Sequence, residues 1–265
     1  MLLVGSIVAE KIYSQIRREI KELKEKKTQP FLATIIVGEN PVSLNFIKIK
    51  EKAAHKLGID FKIYQLPGIA TEQRVLDLIN ELNRNKAIHG LIVQLPLPKS
   101  LNTQKIVRAI DPQKDIDGLL GKYPAPTAAA ILEIIKHYEI DYKNLKIVIV
   151  GHGKLVGQPL ATMLKREKIS PIICDSKTPD LKEQTLKADI LISATGVPTL
   201  IKKDMVKDGV IVIDAGTAES NGKITGDVDP AVYKKARSYS PVPGGVGPVT
   251  VAMLMRNLIA AAKKH

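Results

Sequence analysis

Lys146-Ile147-Val148-Ile149-Val150-Gly151-His152-Gly153-Lys154-Leu155-Val156-Gly157-Gln158 is the stretch whose reading decides the fold. A short β-branched run over Leu145–Val150 fits a strand buried on both faces. The glycines that follow are spaced G-x-G-x-x-x-G, one residue longer than the dinucleotide fingerprint G-x-G-x-x-G. Glycine lets the chain turn tightly and lets a phosphate approach backbone N–H groups at the start of the next helix. A plain strand-to-helix turn has the same composition, but a loop directly after an apolar strand is where a nucleotide site belongs. Asp175 follows Gly151 by 24 residues, just after the apolar run ending at Cys174. An acid there accepts hydrogen bonds from a ribose 2′-OH and favours NAD, whereas Ser176 and Lys177 suit the 2′-phosphate of NADP. A turn capped by the Asp175 side chain is the alternative.

Working outward, helical and strand patterns alternate along the whole chain, which predicts an α/β protein with mainly parallel sheets. Before the glycine loop, helices are expected at 7–25, 42–57 and 71–84, and strands at Phe31–Val37, Phe61–Leu66 and Gly90–Leu95. The turn-rich segment from Asp111 to Gly118, with Gly121, Pro124 and Pro126 beyond it, marks a boundary before a helix near Thr127. After the loop, strands are expected at Pro171–Cys174, Ile190–Ala194 and Val210–Ala215. The pattern gives one α/β unit before that boundary and another after it.

Near the end, Pro241-Val242-Pro243-Gly244-Gly245-Val246-Gly247-Pro248 packs three Gly and three Pro into eight residues, and a helix Thr250–Lys263 is expected after it. Such a path is rigid and bare of side chains, suited to a flat ligand laid against backbone. Its bland reading is a stiff turn capped by Thr250.

Composition narrows the classes. The chain has 265 residues and one cysteine, Cys174, which excludes an internal disulfide and a cysteine metal cluster and points to the cytoplasm. No apolar run approaches a membrane span, and the opening residues read as an amphipathic helix. The net charge of +13 raises the question of nucleic acid, but the basic residues are spread along helices and only 4% of residues are aromatic, with no Trp for stacking. The same charge would also steer a polyanionic ligand such as NADP. His55, His89, His137, His152 and His265 lack ligand spacing, so no metal is expected.

In the first half, Phe46 and Lys50 are four apart on a predicted helix and share a face, with Lys52 on another side. Gln94 ends an apolar strand, where α/β proteins bind ligands, and Asp117 precedes Gly118 in the boundary turn. Singly, these read as a solvated lysine, a core aromatic, a strand-end amide and an Asx-turn.

Together they resemble the bifunctional methylenetetrahydrofolate dehydrogenase/cyclohydrolase family over almost the whole chain. The family's S-x-x-Y-V-x-x-K-x-K-A falls on Ser43, Phe46, Ile47, Lys50, Lys52 and Ala53; its I-V-Q-L-P-L-P falls on Ile92–Pro98; its K-D-V-D-G falls on Lys114–Gly118. The match continues at Val156–Pro159, Ala188–Ile192 and Gly196–Pro198 and ends on PVPGGVGPVT, where only Val249 departs from the usual PVPGGVGPMT. The resemblance implies a division into 1–121 with 249–265 as a substrate domain and 122–248 as a dinucleotide-binding domain. It implies two α/β domains with a cleft between them, the last helix packing back on the first domain, and a cytoplasmic homodimer serving one-carbon metabolism and purine biosynthesis. It implies oxidation of 5,10-methylenetetrahydrofolate by NADP or NAD, then hydrolysis of the methenyl product to 10-formyltetrahydrofolate. Lys50 would activate water, Gln94 would orient Lys50, and Asp117 would bind the pterin's amino-pyrimidine edge. Phe46 with Pro243, Gly244, Gly245 and Val246 would line the substrate. Gly151, His152, Gly153, Leu155, Val156, Gly157, Asp175, Ser176, Lys177, Thr195, Gly196, Pro198, Gly216, Gly247 and Thr250 would hold the nucleotide. Positioning dominates hydride transfer, while a base lysine must drop from a pKa of about 10.4 to about 7, at a cost of about 4 kcal/mol.

Departures from the pattern bear on the chemistry. Phe46 stands for the family's Tyr, His152 for an Arg linked with the NADP phosphate, and Asp175 for a His, while the stretch Leu119–Thr127 is shortened. The competing readings are a dehydrogenase without effective cyclohydrolase activity, a Rossmann dehydrogenase of another small acid such as shikimate, a non-catalytic folate or nucleotide binder, and a basic nucleic-acid binder.

Overall fold

The computed structural model describes residues 1–220 and 223–264; His265 lies outside the described residues. The chain divides into two compact units, Lys11–Pro126 with Val251–His265, and Met1–Glu10 with Thr127–Thr250.

In the first of these, α1 (Gly5–Glu25), β1 (Phe31–Val37), α2 (Pro41–Leu57), β2 (Asp60–Leu66), α3 (Glu72–Arg84), β3 (Gly90–Val93) and α4 (Thr103–Arg108) follow in order. The three strands form one parallel sheet in the order β2-β1-β3, with Leu32 opposite both Phe61 and Gly90. Val8, Ile12, Ile16 and Ile20, spaced by four, are the buried stripe of α1. The start of α2 is set by Asn40, whose side chain accepts from Ser43 N at 3.0 Å, and by Pro41 in its first turn. Its end is set by Gly58 in the left-handed region at φ 70°. Val75, Leu78, Ile79 and Leu82 of α3 pack with Ile35, Val37 and Leu91 in one core.

The other unit holds α5 (Pro126–His137), β4 (Ile147–Val150), α6 (Gly157–Arg166), β5 (Ile172–Cys174), α7 (Leu181–Leu186), β6 (Ile190–Ser193), β7 (Ile211–Asp214), the antiparallel pair β8 (Ala218–Ser220) and β9 (Lys223–Thr225), and β10 (Ser238–Tyr239). Five strands form a parallel sheet in the order β10-β7-β6-β4-β5. Since β5 lies on one side of β4 and β6 on the other, the strand order reverses at β4, and a crevice opens beyond the carboxyl ends of such strands. The N-terminus extends this sheet, with Leu3 N donating to Tyr239 O at 2.8 Å.

The last helix, α8 (Val246–Ala262), begins four residues before the expected Thr250. Proline is tolerated in a first turn because its missing N–H would have no partner there, so Gly247-Pro248 enters the helix. Thr250 therefore does not cap it: its hydroxyl donates to Val246 O at 3.1 Å from inside. From Val251 on, the helix belongs to the three-stranded unit, where Asn257 Nδ2 donates to Ile116 O at 2.8 Å and Pro124 O at 2.9 Å. The strands at 90–95, 145–150, 171–174, 190–194 and 210–215 are one or two residues shorter than read from sequence, and the two-to-six-residue elements α4, α7, β8, β9 and β10 carry too short a period to be seen there.

Candidate active site

Lys50 sits on α2 one turn after Phe46, both half-buried, while Lys52 is exposed. Lys50 Nζ donates to Gln94 Oε1 at 2.9 Å. Gln94 stands immediately after β3 and is buried; its backbone N–H donates to Ile35 O at 2.9 Å and its Nε2 to Leu95 O at 2.7 Å. With the amide nitrogen committed to backbone, the amide oxygen faces the lysine. Gln94 thus bonds loop backbone with its amide nitrogen, as a strand-end amide does, and contacts Lys50 with its amide oxygen. Burial depresses the pKa of Lys50 below the ordinary lysine value, and the Asp117 carboxylate acts in the opposite sense.

Asp117 is half-buried, and the turn it occupies is not the Asx-turn its sequence suggests. Gly118 N donates to Asp115 O at 3.0 Å, and the Asp115 carboxylate accepts from Leu120 N at 2.6 Å. Asp115 is fully buried, and burial pushes its pKa up. The segment is anchored by Lys114, whose ammonium donates to the carbonyls of Leu82, Asn83 and Asn85 at 3.0, 2.7 and 2.8 Å.

The second cluster lies in the five-stranded unit. Gly151, at φ 102°, leaves β4, and a Cβ on Gly157 would collide with Gly151 O, so only glycine lets the strand turn this tightly into α6. No side chain caps the first turn of α6, where Val156 is the N-cap residue, which fits an anion on those amides. His152, Gly153 and Leu155 are exposed. Asp175, after β5, is also exposed, and its carboxylate accepts from Lys177 N at 2.9 Å, so the capped turn forms; Ser176 and Lys177 are exposed with it. Thr195, Gly196 and Pro198 follow β6, and Gly216 follows β7. The structure therefore gathers these residues beyond the carboxyl ends of neighbouring strands β5, β4, β6 and β7. Pro243 and Gly247 are exposed, Gly245 and Val246 are buried, and Gly244 O accepts from Gly5 N at 2.8 Å.

The sequence reading passed over Lys114, Asp115, Asp214 and Asp227, all buried charges. A local signal was available for Asp214 alone, an acid closing the apolar run Val210–Ile213. Among the described residues no group of three or more His, Cys, Asp or Glu could hold a metal, and no helix is long and apolar enough to cross a membrane.

Comparison with known proteins places these features in context. Residues 3–117 match the family described as tetrahydrofolate dehydrogenase/cyclohydrolase, catalytic domain, and residues 125–265 match its NAD(P)-binding domain. The bifunctional protein FolD of Nautilia profundicola is 42% identical over 275 residues, covering 99% of this chain and 97% of that protein. The crystal structure of the bifunctional FolD methylenetetrahydrofolate dehydrogenase/cyclohydrolase from Campylobacter jejuni aligns with a TM-score of 0.94 at 39% identity, covering 100% of this chain and 99% of that one. The Trypanosoma brucei enzyme, solved with NADP cofactor and an inhibitor, aligns with a TM-score of 0.94 at 31% identity, covering 100% and 97%.

Proposed function

The chain belongs to the tetrahydrofolate dehydrogenase/cyclohydrolase family, and on that premise we propose how its two units divide the chemistry. The protein is a bifunctional enzyme. It oxidises 5,10-methylenetetrahydrofolate to the 5,10-methenyl cation and hydrolyses that cation to 10-formyltetrahydrofolate.

The three-stranded unit is the substrate unit in this reading, and the five-stranded unit holds the nucleotide. Lys50 is the group that activates water. Its neutral amine takes a proton from water as the oxygen adds to the methenyl carbon, and opening of the ring leaves the formyl group on the substrate nitrogen with net release of one proton. Gln94 holds the amine in place, accepting from it in the charged and the neutral form alike. Asp117 binds the amino-pyrimidine edge of the pterin, and Phe46 supplies an apolar face. The oxidation asks less of side chains, because a substrate nitrogen lone pair expels the hydride and the enzyme's task is alignment. When bound, the nicotinamide nucleotide supplies the hydride acceptor. Gly151–Gly157 and the open amides of α6 suit its pyrophosphate, Thr195, Gly196, Pro198 and Gly216 line its remainder, and Gly247 and Thr250 mark its far limit. The backbone of Pro243–Val246 lines the substrate side.

We read NADP as the preferred nucleotide, with Ser176 and Lys177 for its 2′-phosphate, and NAD as the alternative that His152 and Asp175 favour. A cytoplasmic homodimer whose formyl product feeds purine biosynthesis completes the proposal.

The single observation that carries it is the 2.9 Å bond from Lys50 Nζ to Gln94 Oε1, in a setting where burial depresses the lysine pKa. The test is absorbance-monitored turnover of methylenetetrahydrofolate with NADP and with NAD, beside a separate assay of methenyl hydrolysis. Reduction of either nucleotide together with enzyme-dependent hydrolysis is expected; hydride transfer without hydrolysis would remove Lys50 from its role.

A further inference from the structure

Two buried carboxylates have no part in the chemistry above. Asp214 ends β7 and Asp227 follows β9; they are 1% and 0% exposed. Asp214 accepts at Oδ1 from Gly216 N at 2.9 Å and from Asp227 N at 3.2 Å, and at Oδ2 from Val228 N at 3.0 Å. Asp227 accepts at Oδ2 from Ser193 Oγ at 2.8 Å and from Thr195 N at 2.6 Å, while its Oδ1 is buried with no partner. Their main chain joins in. Gly226 O accepts from Thr199 N at 3.1 Å and Asp227 O from Ile201 N at 3.0 Å. The packing leaves no slack: a Cβ on Gly216 would fall inside the Asp227 carboxylate, and a Cβ on Gly226 inside that of Asp214.

Every donor held here, apart from those of the 226–228 segment itself, comes from the end of β6 or from the loops after β6 and β7. Those loops carry Thr195, Gly196, Pro198 and Gly216, which the reading above gives to the nucleotide, so the inference rests on that reading. We propose that Asp214 and Asp227 are positioning residues of the nucleotide site, a carboxylate clasp whose shared charge sets how firmly both loops are held and makes nucleotide affinity depend on pH.

Two like charges this deeply buried repel and are poorly solvated, which favours the neutral form of Asp214. Burial first, and then Asp227, push the Asp214 pKa up to about 6. The other titratable groups at hand are phenols: Tyr233, its pKa pushed up to about 12 by burial, Asp214 and Tyr239, and Tyr239, stacked on it at 4.2 Å. A carboxyl whose folded pKa exceeds its unfolded value gives stability that is full below the ordinary carboxylate range and is lost as pH rises through about 6. Nucleotide affinity should fall in the same direction.

The test is calorimetric titration of the whole enzyme with NADP and with NAD between about pH 5.5 and 7.5, beside methenyl hydrolysis assayed without nucleotide. For the wild type, Kd should rise by up to about tenfold across the window. Asp227→Asn removes one charge at constant shape and should make that rise measurably shallower, since burial alone still raises the Asp214 pKa. The comparison cancels the titration of the 2′-phosphate, which both proteins share. Ser193→Ala removes one donor but keeps both charges, so it should weaken binding a few-fold and retain the slope. Hydrolysis should be unchanged in both variants. Asp227→Asn with the wild-type slope overturns the clasp, as does a parallel loss of hydrolysis in either variant, which would mark a purely structural pair. A wild type that binds neither nucleotide overturns the nucleotide reading, and this inference with it.

Discussion

Lys50 and Lys114 lie in the same unit, and burial depresses both pKa values against the pull of one aspartate, Asp117 in the first case and Asp111 in the second. Their hydrogen bonds separate them. Lys114, 2% exposed, gives its ammonium to three backbone carbonyls at the end of α3. Carbonyls only accept, so three of them hold the amine as a three-donor cation, and losing a proton would leave one acceptor unfilled. Lys50 has one side-chain acceptor, Gln94, which a neutral amine satisfies as well as a charged one. Desolvation alone therefore does not mark a base. What marks it is desolvation with bonding capacity to spare.

Replacing each lysine by an apolar chain of similar length is the sharpest way to break that contrast. Lys50→Met should lower methenyl hydrolysis by about 10²- to 10⁴-fold while part of the hydride transfer survives, and thermal stability should fall by no more than the roughly 1 kcal/mol of the single bond to Gln94. Loss of both activities in proportion would mean that Lys50 binds substrate or supports folding instead. Lys114→Met strands three carbonyls and should cost on the order of 3 kcal/mol, or about 10 °C in Tm for a chain of this size, with turnover per folded molecule much less affected. An unchanged Tm for Lys114→Met, or a large drop for Lys50→Met, would exchange the two assignments.

Neither role could be read from composition, since Lys50 and Lys114 are two among 40 Lys and Arg. The parallel sheets and the glycine loop were legible because β-branched runs and the G-x-G spacing are local signals. Phe46 and Lys50 were legible as neighbours because helical periodicity places them one turn apart. The meeting of Lys50 with Gln94, 44 residues away, was not, because it depends on β3 pairing beside β1 and ending where α2 passes. It entered the sequence reading through the order of several family motifs. The buried carboxylates Asp115, Asp214 and Asp227 stayed hidden for a related reason: an acid at a strand end or in a turn reads as solvated until its donors are placed around it. The start of α8 was misread because Gly and Pro signal a turn in sequence, yet both are tolerated in a first helical turn.

The pH dependence sharpens the contrast within the site. With Lys50 neutral as the working form, hydrolysis corrected for the uncatalysed rate should rise as pH climbs through its pKa, which lies below the ordinary 10.5. Gln94→Glu puts a carboxylate against the amine, favours the charged form and should move the half-maximum upward, lowering the rate near neutral pH about tenfold. Hydride transfer, which uses no base in this scheme, should keep its own profile. A hydrolysis profile that does not move would assign the titration to another group.

The smallest effect tests the departure beside Lys50. Phe46→Tyr restores the hydroxyl common in the family at a position one helical turn from the lysine, without changing the ring available for stacking. A single hydrogen bond of this kind is worth about 1 kcal/mol, or a few-fold in rate. If burial and Gln94 already prepare Lys50, the hydroxyl adds to hydrolysis by no more than that and leaves the ratio of kcat/KM between nucleotides untouched, as measured by parallel assays with NADP and NAD. A gain of a hundredfold or more would mean that the lysine is poorly prepared in this chain and that Phe46 has biased it toward oxidation. Equal gains in both activities would place the hydroxyl in substrate binding, leaving the contrast between Lys50 and Lys114 to rest on Gln94 alone.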